Sequence, residues 1–199
     1  MRVTIFDYGA GNLHSLAKSL ALPDVRLRMD DDPARAVVNT DVLVLPGVGA
    51  FGAAAARLAP GLQVMRDAVL DGLPCLGICL GMQLLFDRSD EGTGSGLGVI
   101  AGRVCRLQAR RIPHIGWNTI DDARDPLLRT SALRMAYYAN SYMCQPSDAT
   151  TIRAWTLHER DRFPAMVRAH RAVGVQFHPE KSSAPGVALV HAFLREARS

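Results

Sequence analysis

The chain has 199 residues, 48% hydrophobic and 21% charged, a globular balance that excludes a mainly disordered, collagen-like or coiled-coil protein. The formal net charge is +4, but the arginines are spread along the chain and the densest group is only Arg103, Arg106, Arg110 and Arg111, so a solvated face or a protein contact is expected and no nucleic-acid partner. No apolar run approaches the ~18 residues of a membrane span and no signal-peptide pattern opens the chain, so the expectation is a cytoplasmic protein, not bound to membranes, folded as a single domain over residues 1–199.

Residues 3–6 read as a short buried strand, followed by the glycine-rich turn Asp7-Tyr8-Gly9-Ala10-Gly11-Asn12. Leu13, Leu16, Ala17 and Leu20 then form the apolar stripe of a helix. Val25, Leu27 and Met29 alternate with Arg26 and Arg28, which predicts a strand exposed on one face, near a sheet edge. Residues 42–45 are a fully apolar strand ended by Pro46-Gly47, and 51–70 are mostly helical with a break at Pro60-Gly61. Residues 75–78 form another buried strand and 80–86 a helix. This alternation predicts an α/β fold with a mostly parallel central sheet flanked by helices. Four glycines between 92 and 98 mark a loop. Beyond it, short β-like runs at 99–107, 135–139, 151–157, 165–169 and 172–177 predict mixed or antiparallel strands added to the same sheet in the C-terminal half, closed by a helix through Val187, Val190, Phe193 and Leu194.

Cys75, Cys79, Cys105 and Cys144 match no zinc spacing, so no metal or other cofactor is expected, and disulfides are not expected in a cytoplasmic chain. Gly77-Ile78-Cys79-Leu80-Gly81 lies between a strand and a helix and is the cysteine form of the nucleophile elbow. The helix N-terminus after it favours the thiolate, and the Leu80 N–H is a natural oxyanion donor. Such a nucleophile needs a base, and the base needs an orienting group. His178-Pro179-Glu180 follows the strand-like run 172–177, and an extended backbone there points side chains two apart the same way, so Glu180 is placed to support His178.

These residues resemble class I glutamine amidotransferases. Gly77-Ile78-Cys79-Leu80-Gly81-Met82-Gln83 matches the family's nucleophile motif and Phe177-His178-Pro179-Glu180 its histidine–glutamate motif. Four further motifs are similar to the glutaminase subunits of imidazole glycerol phosphate synthases: residues 7–12, Pro46-Gly47-Val48-Gly49-Ala50-Phe51, Pro113-His114-Ile115-Gly116-Trp117-Asn118, and His178-Pro179-Glu180-Lys181-Ser182-Ser183. The resemblance implies the class I glutamine amidotransferase fold and a Cys79–His178–Glu180 triad that hydrolyses glutamine through a γ-glutamyl thioester. It implies an oxyanion hole from Leu80 and Val48, with Gln83, Gly49, Ser141 and Tyr142 holding the substrate. It also implies transfer of ammonia to a separate (β/α)8-barrel cyclase subunit, paired as a heterodimer, with Asn12, Trp117, Tyr138 and Lys181 facing that barrel. The chain departs from the family where Asn140 stands in place of the commoner histidine before Ser141-Tyr142; tuning with retained activity is the expectation.

Two rival readings compete. Gly9-Ala10-Gly11 between a strand and a helix, with Asp30-Asp31-Asp32 about twenty residues on, outlines a dinucleotide-binding fingerprint, but His14 stands at the third glycine. A paralogous glutaminase feeding another synthase, such as one for sugar amination, shares every motif above and differs in its partner.

Overall fold

The computed structural model describes residues 1–9 and 13–198. The first half alternates β1 (Arg2–Phe6), α1 (His14–Leu20), β2 (Arg26–Asp30), α2 (Pro33–Ala36), β3 (Val42–Leu45), α3 (Phe51–Leu58), α4 (Leu62–Leu70), β4 (Cys75–Ile78) and α5 (Leu80–Gln83). The second half holds β5 (Arg88–Ser89), β6 (Gly102–Arg106), β7 (His114–Thr119), α6 (Pro126–Ser131), β8 (Met135–Asn140), β9 (Tyr142–Pro146), β10 (Ile152–His158), β11 (Asp161–Ala169), β12 (Ala172–Val175) and α7 (Ser183–Glu196).

The central sheet has seven strands in the order β10-β11-β12-β4-β3-β1-β2. From β12 to β2 every pairing is parallel, while β11 runs antiparallel to both β12 and β10. The apolar runs explain the layering, because successive strand side chains point to opposite faces. Val42 and Val44 join Val3, Ile5, Leu76 and Ile78 on one face, packed against Leu16 and Leu20 of α1 and Leu189, Val190 and Phe193 of α7. Leu43 and Leu45 face the other way with Cys75, against Ala54 and Leu58 of α3 and Met65 and Val69 of α4. Strands buried on both faces therefore read as unbroken hydrophobic runs. Among the described residues no helix is long and apolar enough to cross a membrane.

Several expectations need correction. β2 is an edge strand, but its exposed residues are Arg26, Leu27 and Met29, while Arg28 is half-buried. The Arg28 guanidinium donates to the carbonyls of Arg35 (3.0 Å), Ala36 (3.2 Å) and Val38 (3.1 Å), which draws it against the end of α2. The helix expected over 80–86 stops after Gln83: the Leu85 and Phe86 N–H groups donate only three residues back, to Met82 (3.1 Å) and Gln83 (3.1 Å), and the carbonyls beyond accept from a returning segment, with Leu97 N–H donating to Leu84 (2.7 Å), Ile100 to Leu85 (3.0 Å) and Gly98 to Phe86 (3.2 Å). Only β10, β11 and β12 extend the central sheet. β6 lies in a separate three-stranded sheet with β5 and β9, and β7 and β8 form a two-stranded sheet of their own. Strands β7 and β9 went unread; Gly116 interrupts the first and Pro146 ends the second, both poor strand signals.

β3, β4 and β12 are parallel neighbours, so their C-terminal ends open at one sheet edge. The segments starting at Pro46, Cys79 and Gln176 leave the strands there, at the edge where parallel α/β sheets bind ligands.

Candidate active site

Cys79 links β4 to α5 with φ +49° and ψ −104°, a strained backbone for a residue with a Cβ. The strain is held by hydrogen bonds on both sides: Cys79 N–H donates to the Val175 carbonyl (2.7 Å) and Gln83 N–H to the Cys79 carbonyl (3.1 Å). Gly81 allows the turn, since a Cβ there would overlap the Leu45 carbonyl. A helix of four residues carries little dipole, so stabilising charge on the sulfur falls mainly on neighbouring side chains.

His178 is positioned from two directions. Its N–H donates to the Tyr137 carbonyl (2.8 Å), bridging the segment after β12 to β8. The buried Ser182 hydroxyl donates to the His178 carbonyl (2.6 Å) and accepts from Tyr137 N–H (2.9 Å). His178 Nδ1 lies 2.8 Å from Glu180 Oε1, with the two side chains only 3% and 9% exposed. The expected extended backbone holds at His178 itself, but Pro179–Lys181 form a 3₁₀ turn that curls Glu180 back to the ring. Burial pulls the His178 pKa down, but hydrogen bonds to the Cys79 sulfur and to Glu180 win and raise it from 6.5 to about 9. The imidazolium is thus the favoured partner of this sulfur at neutral pH.

Burial pushes Cys75 up to about 12 and raises Cys144 and Cys105 as well.

Beside Cys79 lies a cavity of about 290 Å³. Its wall includes Val48, Gly49, Leu80, Gln83, Ser141, Tyr142, His178 and Lys181, so the structure gathers every residue expected at the nucleophile, oxyanion and substrate positions, with Glu180 directly behind His178. Leu80 occupies the first helical position, where the N–H has no intrahelical acceptor. Tyr8, a buried residue, donates its hydroxyl to the Pro46 carbonyl and pins the start of the Pro46-Gly47-Val48-Gly49 segment.

The four residues expected at a partner face separate. Trp117 is 50% exposed on the outer face of β7 and Lys181 is exposed at the cavity rim. Tyr138 is instead fully buried, its ring edge-on to Phe163 and Phe177. Alternation along β8 turns Tyr138 inward and leaves Tyr137 on the outer side, edge-on to Trp117. Asn12 lies outside the described residues, as do Ala10 and Gly11 of the dinucleotide-like turn.

Four residues near the site went unread. Glu91 lines the cavity and accepts from Phe51 N–H at the start of α3 (2.9 Å). Gln176 lies fully buried against the Cys79 sulfur. Tyr8 and Ser182 act on backbone carbonyls. Gln176 carried a readable signal as a polar residue inside the apolar run Val173-Gly174-Val175-Gln176-Phe177, and Tyr8 and Ser182 stood inside quoted motifs without a role being assigned to either. Asn140 is buried in the cavity wall, where its Nδ2 donates to the Tyr142 carbonyl (3.0 Å).

The family model described as Glutamine amidotransferase class-I matches residues 4–197. The protein called imidazole glycerol phosphate synthase subunit HisH from Thermosynechococcus vestitus is 40% identical over 96% of this chain and 95% of its own length. The HisH subunit of Pyrococcus furiosus is 40% identical over 98% of both chains, and that of Bacillus subtilis 37% identical over 98% of this chain and 96% of its own. Among solved structures, a glutamine amidotransferase superposes with a TM-score of 0.76 at 16% identity over 99% of each chain. A chain of PurLQS from Thermotoga maritima superposes with a TM-score of 0.74, also at 16% identity, over 98% of each. At such identities the superpositions speak for the fold alone.

Proposed function

The chain belongs to the glutamine amidotransferase class-I family and is a glutaminase, and from that premise we propose that it is the glutaminase subunit of an imidazole glycerol phosphate synthase, working through Cys79, His178 and Glu180. The observation that carries the chemistry is the buried line from the Cys79 sulfur through the His178 ring to Glu180, at the C-terminal edge of β4. Support for the synthase comes from relatives that share 37–40% of residues over nearly the whole chain.

In this reading the Cys79 thiolate attacks the side-chain amide carbon of glutamine, and the carbonyl oxygen becomes an oxyanion. His178, holding the thiol's proton, passes it to the departing nitrogen, which leaves as ammonia. A γ-glutamyl thioester remains. Water attacks it while His178 takes a proton, and collapse releases glutamate and returns the sulfur to the imidazolium. Glu180 holds the ring and favours its charged form. The N–H groups of Leu80 and Val48 stabilise the oxyanion, each worth ~10²–10³ in rate. Gly49, Gln83, Ser141 and Tyr142 hold the substrate's polar ends, and the Glu91 carboxylate in the cavity wall suits its ammonium group.

Ammonia then passes to a (β/α)8-barrel cyclase subunit in a heterodimer, where imidazole glycerol phosphate and the carboxamide ribonucleotide are made. Trp117 and Lys181, with Asn12, face that barrel. The protein works as one cytoplasmic domain over residues 1–199. The test is Cys79→Ala in the assembled synthase. Synthesis from glutamine should cease while synthesis from ammonium salts persists; wild-type glutamine turnover by the variant would reject the nucleophile. Capture of the bound partner from the native host separates this reading from the paralogue, because the paralogue would bring down a different synthase.

A further inference from the structure

Gln176 follows β12 and is fully buried, its N–H bonded to the Ala165 carbonyl (3.0 Å). A buried side-chain amide persists where both of its ends find partners. Its Nε2 lies 3.5 Å from the Cys79 Sγ, and its Oε1 lies 3.4 Å from the Nε2 of Gln83. Gln83 Nε2 also lies 3.4 Å from the Tyr142 carbonyl, which accepts Asn140 Nδ2 at 3.0 Å. One chain of amides therefore runs from the sulfur into the wall of the cavity.

Its polarity is fixed by chemistry. A thiolate has only lone pairs to offer, so the Gln176 NH₂ faces it and the amide oxygen turns away. That oxygen then accepts from the NH₂ of Gln83, which leaves the Gln83 oxygen for the cavity that Gln83 lines.

We infer that Gln176 is a second hydrogen-bond donor to the Cys79 sulfur and sets the orientation of Gln83, so that one buried amide governs both nucleophile and substrate pocket. The inference rests on the reading of Cys79 as the nucleophile. The sulfur carries charge before it attacks the amide and again when the thioester's tetrahedral intermediate expels it. Between those moments His178 gives up a proton to ammonia and regains one from water. An amide does not titrate, so Gln176 offers the same hydrogen bond at both.

The experiment compares the full chain with Gln176→Met, Gln176→Glu and Cys79→Ala. It follows the pH dependence of Cys79 alkylation by iodoacetamide, mapped by mass, and kcat and KM for glutamine, with thermal melts to verify folding. Gln176→Met should slow alkylation at neutral pH about ten-fold, move its midpoint up by about one unit, lower kcat and raise KM. Gln176→Glu keeps an oxygen for Gln83 but exchanges the amide donor for a group that loses its proton as pH rises. Its kcat should fall further below wild type as pH increases, while KM stays within about two-fold. Should the Met variant fail to fold, the Glu variant decides alone. Wild-type alkylation profiles and kcat in the folded variants would overturn the inference. Continued glutamine turnover by Cys79→Ala would instead overturn the reading of the site beneath it.

Discussion

Pro179 separates His178 from Glu180 in sequence, yet the His178 Nδ1 stands 2.8 Å from the Glu180 Oε1. The 3₁₀ turn of Pro179–Lys181 brings them together, and the second carboxylate oxygen, Oε2, is buried without a hydrogen-bond partner among the described residues. Glu180→Gln would preserve the shape, keep an acceptor for Nδ1 and remove the charge. Burial would then weigh more heavily on His178, and its pKa should fall below about 9.

Two measurements follow. The alkaline limb of the pH profile for glutamine turnover should move to lower pH, with turnover reduced at least ~10-fold. The stability profile changes in the same window. A histidine raised from 6.5 to about 9 contributes stability that is full below 6.5 and is lost as pH rises through 9. Wild-type melting temperature should therefore decline from pH 6.5 to 9, and the variant should decline less. Identical alkaline limbs would separate Glu180 from the ionisation of His178.

Gly47 is hemmed in by the groups it helps to place. A Cβ there would sit 2.9 Å from the Ile78 carbonyl, 3.0 Å from His178 Cε1 and 3.1 Å from Cys79 Cβ. The first of these is backbone and cannot swing aside. Gly47→Ala should fold, because one methyl at the cavity edge is a small perturbation, but it should push sulfur and ring apart. A misplacement of ~1 Å costs on the order of 10² in rate, so glutamine turnover should fall about 100-fold with little change in melting temperature. Full activity in the variant would show that the loop yields freely.

Which residues gather at the candidate site was easier to read from the sequence than the architecture around it. Strands 42–45 and 75–78 were legible to the residue because helices cover both faces of the sheet, which makes every position apolar. The elbow and the approach of Glu180 to His178 were legible from residue types and spacing, but the 3₁₀ turn that makes the approach was read as extended backbone. The β6–β9 and β7–β8 pairings were not. They join segments about forty and twenty residues apart, and each strand mixes buried positions with exposed or half-buried ones, so neither periodicity nor spacing records which segment meets which. Tyr138 shows the scale of the difficulty, since one step along a pleated strand exchanges an outward ring for a buried one. Contacts such as Tyr8 to Pro46 and Gln176 to Cys79 join residues distant in sequence and exist only once the sheet is ordered.

His114 provides a separate acid response. It is buried in β7, stacked on His158 (4.2 Å) and on Tyr138 (4.9 Å). Burial first, then repulsion from His158, lower its pKa from 6.5 to about 4, against an opposing contact with its cross-strand partner Asn140. A depressed histidine contributes stability that is complete above 6.5 and is lost as pH falls through 4. The wild-type chain should lose about 1–3 kcal/mol between those limits from this group. His114→Phe keeps an aromatic ring in the stack and cannot titrate, so its melting temperature should vary less from pH 7 to pH 4. Parallel curves for the two proteins would assign the acid sensitivity elsewhere.

Lys181 follows Glu180 directly and reaches the cavity rim, with its Nζ 5.9 Å above the Tyr137 ring, which is itself edge-on to the half-exposed Trp117. It is one of only two lysines among 23 basic residues. A compact ammonium on a flexible stem suits a single carboxylate across an interface, where arginine's planar fork would demand a two-oxygen partner. If this face meets the proposed barrel, Lys181 becomes buried there. Removing one member of a buried interfacial pair costs ~2–5 kcal/mol, a rim charge much less. Lys181→Met should therefore weaken binding to the cyclase subunit at least ~30-fold and depress glutamine-dependent synthesis more than synthesis from ammonium salts. Cys79 alkylation in the free chain should be unaffected, because Lys181 does not touch the sulfur. Titration of wild-type and variant chains against the cyclase provides the comparison; equal affinity with equal coupling would place Lys181 on a solvated rim.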